Sequence, residues 1–328
     1  MNLLITGATG FVGQNLLLHA LALGTYQSII ACVRNPEKLR CQLRNENVDP
    51  ANVVCIPWGA PVPEDLRIDH AVHCAGVLFA RNRADYFTVN VDESMQVLRC
   101  LPSSVRLLAL SSQSAGGPTP AGQTARTIHN PDAPLTWYGE SKIAMERELV
   151  KFCPKAMIIR PPMILGARDQ ATLPLFKMAA GWIRPKPGLR EKQYSWVDVG
   201  DLSRDLLSIL SAPAWNTHPH RTMYAAAPDV ISDRELLGAA IDLMQAPGIT
   251  VPLPHGLLGL AAGLVDAIPA LREATPSLTR DRVKEIFPNR WVVDASEFRT
   301  LAGKQTYRSL REAMTATFEW YRRTGQIR

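Results

Sequence analysis

The chain has 328 residues, 46% hydrophobic and 20% charged, a balance that excludes a disordered or fibrous protein and leaves room for a sizeable core. The formal net charge is +6, but the basic residues are dispersed and no stretch interleaves Lys or Arg with aromatics, which argues against a nucleic-acid groove. The six cysteines, at 32, 41, 55, 74, 100 and 153, form no C-x-x-C pair and no metal-ligand spacing; they read as reduced thiols with no metal site.

In chain order, Leu3–Ile5 form a short apolar run ending at Thr6-Gly7, as expected of a strand buried on both faces. The start lacks the basic residues and longer apolar core of a signal peptide, so a cytoplasmic location is expected. Phe11 to Leu23 has helical spacing and stops near Gly24. Further strands are predicted at Ser28–Val33, Asn52–Ile56, His70–Cys74, Val105–Leu110 and Ala156–Ile159, with helices at Asn90–Leu101 and Trp137–Phe152. Such alternation implies parallel pairing, because each crossover needs a dozen or more residues. The expected fold is α/β, a Rossmann-type doubly wound parallel sheet with ligand beyond the carboxyl ends of its strands. Beyond Pro162 the regularity weakens, but Leu173–Gly181, Leu202–Leu210, Asp233–Met244 and Leu310–Arg323 still read as helices. This predicts a dinucleotide-binding unit over 1–165 with 193–225 returning to it, and an entwined substrate lobe over 166–192 and 226–328. The least polar stretch, Val251 to Leu271, is broken by Pro252, Pro254, His255, Asp266 and Pro269. It is too interrupted to span a bilayer and is expected to be a buried or cap helix.

Thr6-Gly7-Ala8-Thr9-Gly10-Phe11-Val12-Gly13 places glycines at every third position between the first strand and first helix. Glycine permits the tight turn and close backbone approach to a pyrophosphate, and the helix N-terminus offers unpaired N–H groups to the anion. After the second strand, where NAD-binding folds usually carry an acid for the ribose, this chain has Val33-Arg34-Asn35-Pro36. A guanidinium at Arg34 suits a 2′-phosphate, favouring NADP(H) over NAD(H). His73-Cys74-Ala75-Gly76 ends the fourth strand in small residues that allow a cofactor to approach. Tyr138 and Lys142, four apart at a helix start, project to one face. A cation close to the phenol lowers its pKa into a useful range for proton transfer. Ser111, Ser112 and Ser114 follow the fifth strand; a hydroxyl there can orient a substrate oxygen, and position does not choose among them. No Gly-x-Ser-x-Gly elbow marks an acyl hydrolase. In Trp196-Val197-Asp198-Val199-Gly200-Asp201, Asp201 is expected to cap the helix beginning at Leu202.

Together TGATGFVG, VRNP, HCAG, LSSQS, YGESK, RPPMILG and YSWVDVGD resemble an extended short-chain dehydrogenase/reductase. The match in order and spacing runs from Met1 to about Leu210, and Phe318-Glu319-Trp320-Tyr321-Arg322 looks like the closing helix of that family. The resemblance implies Tyr138 as proton donor or acceptor, Lys142 as its pKa modifier and ribose anchor, and Ser112 as the catalytic serine. It also implies a role for Asn90, although Val91-Asp92-Glu93-Ser94 replaces the usual Gly-Thr ending, and packing of Pro161 to Ile164 on the nicotinamide. Pro57-Trp58-Gly59 stands where an Asp near the adenine is frequent. The implied activity is hydride transfer between NADP(H) and a secondary alcohol or ketone, with a weak hint of a hydrophobic substrate from Leu257 to Leu271. The alternatives are a nucleotide-sugar epimerase or dehydratase with tightly held NAD, in which Arg168 serves a sugar phosphate, and a non-catalytic NADP(H) sensor. By family analogy a homodimer forms through the Asn90 and Tyr138 helices.

Overall fold

In the computed structural model, which describes residues 1–63 and 66–327, seven strands form one parallel sheet. Six come first in the chain: β1 (Asn2–Thr6), β2 (Ser28–Val33), β3 (Val53–Pro57), β4 (His70–His73), β5 (Arg106–Leu110) and β6 (Met157–Arg160). Then β7 (Met163–Leu165), β8 (Ile183–Pro187) and β9 (Gln193–Asp198) lie outside the sheet, and β10 (Thr222–Tyr224) returns to its edge beside β6. The spatial order β10-β6-β5-β4-β1-β2-β3 reverses direction between β1 and β4. That reversal opens a crevice at their carboxyl ends, the place where such sheets bind ligands.

Successive residues of a strand face opposite sides, and β1 shows why both sides are apolar. Leu3 and Ile5 join a core with Leu16 and Leu17 of the helix Phe11–Leu23 and with Leu202, Leu206 and Ile209. Leu4 faces Met95, Leu98, Met145 and Leu149 on the other side. Helices on both faces therefore cover a sheet that could not stand alone in water. A separate core gathers Phe176, Trp196, Leu237, Met314 and Tyr321. Around β9 pair β7, β11 (Val230–Ser232) and β13 (Arg290–Trp291), while β12 (Ile249–Leu253) pairs with β8 in a two-stranded ribbon.

Three local expectations need correction. The helix after β9 begins at Val199 and is capped by Asp198, whose Oδ1 accepts from Gly200 N at 2.8 Å and Asp201 N at 3.2 Å. Asp201 is instead occupied by Arg308 N at 2.7 Å and Arg204 at 2.9 Å. The Asn90 segment opens as a π-helical turn over Thr88–Glu93 and becomes α-helical only over Ser94–Leu98; such widened turns recur at functional sites. The helix His255–Ala267 is not covered on both sides: Leu258, Ala262 and Val265 are buried, but Leu257, Leu260 and Leu264 face outward. Among the described residues no helix is long and apolar enough to cross a membrane.

Candidate active site

The glycine turn is shaped by contact rather than by flexibility alone. Gly7 has φ +69°, and a Cβ there would sit 2.7 Å from the Ala75 backbone nitrogen, so the end of β1 presses on the end of β4. A Cβ on Gly13 would lie 2.2 Å from the Gly7 carbonyl oxygen. Beneath the turn Thr6 Oγ1 shares a 2.8 Å hydrogen bond with His73 Nδ1 and accepts from Ala75 N at 3.3 Å. Burial pushes the His73 pKa down to about 3, so this strut is neutral at working pH. The helix that follows has Gly10 as its N-cap and no side-chain cap. Its first-turn N–H groups and partial positive charge thus remain available to an anion in the crevice.

A cavity of about 750 Å³ opens there. Its wall includes Gly10, Phe11, Val12 and Gly13 beyond β1, Ala75 and Gly76 beyond β4, and Ser111, Ser112 and Ser114 beyond β5. Tyr138, Lys142, Pro161 and Ile164 complete the sheet side. Gly7 and Thr9 shape the turn from behind; the Thr9 carbonyl accepts from Gln42 Nε2 at 3.2 Å. Asn90 also lies behind the wall, fully buried, with Oδ1 accepting from Val77 N at 2.8 Å and Nδ2 donating to Ser141 Oγ at 2.9 Å. It pins the loop after β4 to the Tyr138 helix, which accounts for the widened turn that carries it. Arg34 sits outside the cavity past β2, half-exposed, 3.0 Å from Glu93 and with its guanidinium 5.5 Å from the Trp58 ring centroid. Trp58, in the place where an acid is frequent, thus supports Arg34 from below. Arg168 is absent from the wall: it is tied to Glu46 at 2.8 Å and Asn15 Oδ1 at 2.8 Å.

Of the three serines it is the Ser112 side chain that acts to lower the Tyr138 pKa, and Ser112 and Tyr138 both line the cavity. Ser111 Oγ is buried without a partner, and Ser114 serves through its backbone N–H, donated to Ser112 Oγ at 3.1 Å. Burial pushes the Tyr138 pKa above the ordinary 10.0; the Ser112 side chain and the Arg282 guanidinium pull the other way. The expected cation was Lys142, but its ammonium is turned to the Leu110 carbonyl at 2.7 Å. Lys142 is buried, and that burial lowers its pKa from 10.5 to about 8. An ammonium with one protein acceptor keeps two N–H donors for a polyhydroxylated ligand.

Sequence reasoning missed the part supplied by residues 281–285. The turn Arg282–Glu285 and the preceding Asp281 reach across to the start of the Tyr138 helix. Asp281 accepts from Trp137 N at 3.1 Å, and Glu285 Oε1 accepts from Thr136 Oγ1, the helix cap, at 2.8 Å. Between them Arg282, paired with Glu285 at 3.2 Å, lies 5.3 Å from the Tyr138 ring centroid and 5.4 Å from that of Phe79. Its Nη1 is buried without a partner beside the cavity. No motif in the sequence surrounds these residues, so only the folded chain reveals them.

The cradle that a Cβ would fill, the open helix N-terminus and the under-used Lys142 ammonium all fit a dinucleotide. Comparisons with known proteins agree with that shape. A family model described as "NAD dependent epimerase/dehydratase family" matches residues 3–224. A ceramide reductase from Caulobacter vibrioides (strain NA1000 / CB15N) is 26% identical over 331 aligned positions, 98% of this chain and 95% of that protein. The crystal structure of UDP-glucuronic acid 4-epimerase from Bacillus cereus with NAD superposes with a TM-score of 0.75 at 15% identity, covering 99% of both chains. A dTDP-glucose 4,6-dehydratase from Bacillus anthracis str. Ames with NAD gives 0.72 at 16% identity, covering 99% of this chain and 98% of that one.

Proposed function

The chain belongs to the NAD dependent epimerase/dehydratase family, with the fold and enzyme type of an extended short-chain dehydrogenase/reductase, and from that premise we propose that it interconverts a ketone and a secondary alcohol on a hydrophobic substrate, with NADP(H) as the hydride carrier. The observation that carries the proposal is that Tyr138, Ser112 and Lys142 line one cavity with the glycine turn on one side and Leu78, Phe79, Leu175, Leu236 and Trp291 on another. The bound dinucleotide supplies or accepts the hydride at its nicotinamide. Everything else falls to this chain's side chains.

In the reducing direction Tyr138 enters protonated, because burial holds its pKa above 10.0. As negative charge grows on the carbonyl oxygen, the phenol gives its proton to that oxygen and Ser112 donates a hydrogen bond to it. The phenolate left behind is stabilised by Arg282. In the oxidising direction the same phenolate takes the alcohol proton. Lys142 would hold the cofactor ribose through its spare N–H donors, and Gly10–Gly13 would take the pyrophosphate. Asn90 holds the loop after β4 and acts through position. Arg34, without an acid beside it on β2, favours the 2′-phosphate of NADP(H) by exchanging its contact with Glu93 for a doubly charged partner.

Leu78, Phe79, Leu175, Leu236 and Trp291 give the substrate end its apolar character. That character and the full-length similarity to a ceramide reductase support a ketone on a ceramide-type lipid. The test is a spectrophotometric screen of NADPH and NADH against hydrophobic ketones and UDP-sugars. NADPH oxidation with a long-chain ketone is expected, and Tyr138→Phe should lower turnover by about a hundredfold to ten-thousandfold while cofactor fluorescence titrates unchanged. Turnover confined to UDP-sugars, or a Tyr138→Phe variant that keeps its rate, overturns the assignment.

A further inference from the structure

The helix His255–Ala267 carries one charged residue, Asp266, and is otherwise apolar or small around most of its circumference. Its inner side is satisfied: Leu258 and Ala262 pack on Val283, Leu278 and Phe287. Its outer side is not. Leu257, Leu260 and Leu264 follow helical spacing and leave 54%, 69% and 62% of their surface exposed. A helix apolar on all sides is ordinarily covered on all sides.

The uncovered surface extends past this helix in both directions. Ile268 and Leu271 continue it onto the next helix, Pro269–Ala274. At the other end β12 leads back to the β8 ribbon, where Ile249 pairs with Ile183, Ile249 N donates to the Trp182 carbonyl, and Trp182 is 67% exposed. Gly188 N donates to the Leu253 carbonyl, which sets exposed Leu189 beside the helix start. Of 17 large hydrophobic residues exposed among the described residues, ten fall in 182–189 and 249–271, so the exposure is one patch and not the single leucines ordinary on a surface.

Charge and position select the occupant. Exposed Lys177 and Arg190 flank the ribbon, exposed Arg280 packs against Gly263, and half-buried Arg272 adjoins Leu271. Of the acids on the same rim, Glu191 pairs with Arg234 at 3.5 Å, while Asp266, which accepts from Arg280 N at 3.0 Å, and Glu273 keep their charge against these four cations. The whole chain is basic as well. A cationic rim around protruding leucines and an exposed tryptophan suits the headgroup region of an anionic bilayer. The patch also adjoins the cavity. Val283, under the helix, lies between cavity-lining Arg282 and Glu285, and Arg272 donates to the Arg81 carbonyl just past Leu78 and Phe79 of the cavity wall.

We propose that this face docks the protein in plane on a bilayer containing anionic lipid and turns the cavity mouth toward the hydrophobic substrate dissolved there. The substrate half of this proposal rests on the ketone reading above; the docking half does not. The test is co-sedimentation of the full chain with phosphatidylcholine vesicles, with and without phosphatidylglycerol. Leu260→Glu/Leu264→Glu alters only exposed positions, and an unchanged melting temperature verifies its fold. Wild type should pellet with the anionic vesicles and less so in high salt. The double variant should bind about tenfold more weakly or worse, and Trp182→Ala should also weaken binding. Turnover of a ketone embedded in vesicles should fall in parallel, with turnover of a short water-soluble ketone unchanged. Equal sedimentation of wild type and variant refutes docking, as does a wild type that ignores vesicles and forms a dimer which the same substitutions disperse. Vesicle binding without turnover of any ketone upholds docking and removes the reaction assigned above.

Discussion

Lys142 offers a prediction in which function and stability pull apart. The side chain is buried, its ammonium reaches one carbonyl, and its pKa falls from 10.5 to about 8. That difference corresponds to about 3 kcal/mol of penalty for carrying the charge in the folded, cofactor-free protein at neutral pH. Lys142→Met fills the same slot without charge and loses a hydrogen bond worth about 1 kcal/mol. The variant should therefore be more stable by about 2 kcal/mol, a rise of about 3 °C in melting temperature for a chain of this length. The sign with pH follows from proton counting. Between about 8 and 10.5 the unfolded lysine holds a proton that the folded one has released, so wild-type stability gains on the variant as pH rises. The stability gap should be full below about pH 8 and close toward pH 10.5. Calorimetry of both proteins across that range measures it, and cofactor titration should show binding weakened throughout in Lys142→Met. A variant that melts below wild type, with a gap indifferent to pH, refutes the account of Lys142 as a cation held at a cost for its ligand.

Arg282→Met should remove the cation over Tyr138, moving the acidic limb of the alcohol-oxidation profile up by about one pH unit; Arg282→Lys should restore most of it, and an unmoved limb refutes a role through Tyr138. Arg34→Glu should weaken NADPH by about tenfold to a hundredfold with NADH little affected, measured by fluorescence; an equal loss of both counts against the 2′-phosphate assignment. Gly13→Ala, whose Cβ would meet the Gly7 carbonyl at 2.2 Å, should cost about 1–3 kcal/mol and weaken both cofactors alike, and normal titration by either would mean that the turn yields more readily than its packing indicates.

What the sequence made legible was local or periodic. The run Leu3–Ile5, the glycine spacing and the helical pattern of Phe11–Leu23 each depend on neighbours a few residues away, and the helices Trp137–Phe152, Asp233–Met244 and Leu310–Arg323 stand at the predicted bounds. Misplaced features depended on tertiary competition. Asp198 and Asp201 are both good caps, and Asp198 takes the role because the helix begins at Val199, which leaves Asp201 inside the first turn to accept from Arg308 N and Arg204. Ser111, Ser112 and Ser114 are equivalent in sequence, and what distinguishes them exists only in the folded chain: Ser111 Oγ is buried without a partner, while Ser112 Oγ accepts from Ser114 N. The outward leucines of His255–Ala267 share spacing with a buried helix, since periodicity reports which faces are apolar and not what covers them.

Arg282 shows the deeper reason why half of the site was hidden. A Tyr/Lys pair four apart is written in one helix, but the guanidinium 5.3 Å from the phenol ring centroid lies 144 positions further on, in a short turn of no distinctive composition. Its placement follows from Asp281 and Glu285, which bind Trp137 N and Thr136 Oγ1 at the uncovered end of the Tyr138 helix. The same segment carries Val283, on which the exposed helix rests. The segment Asp281–Glu285 thus holds the Tyr138 helix at its first turn and carries, at Val283, the inner support of the helix whose outer face is apolar. A displacement of that face has a direct mechanical route to Arg282, so vesicles that engage it should alter the pH profile of a water-soluble ketone in wild type and leave that of Arg282→Met unmoved.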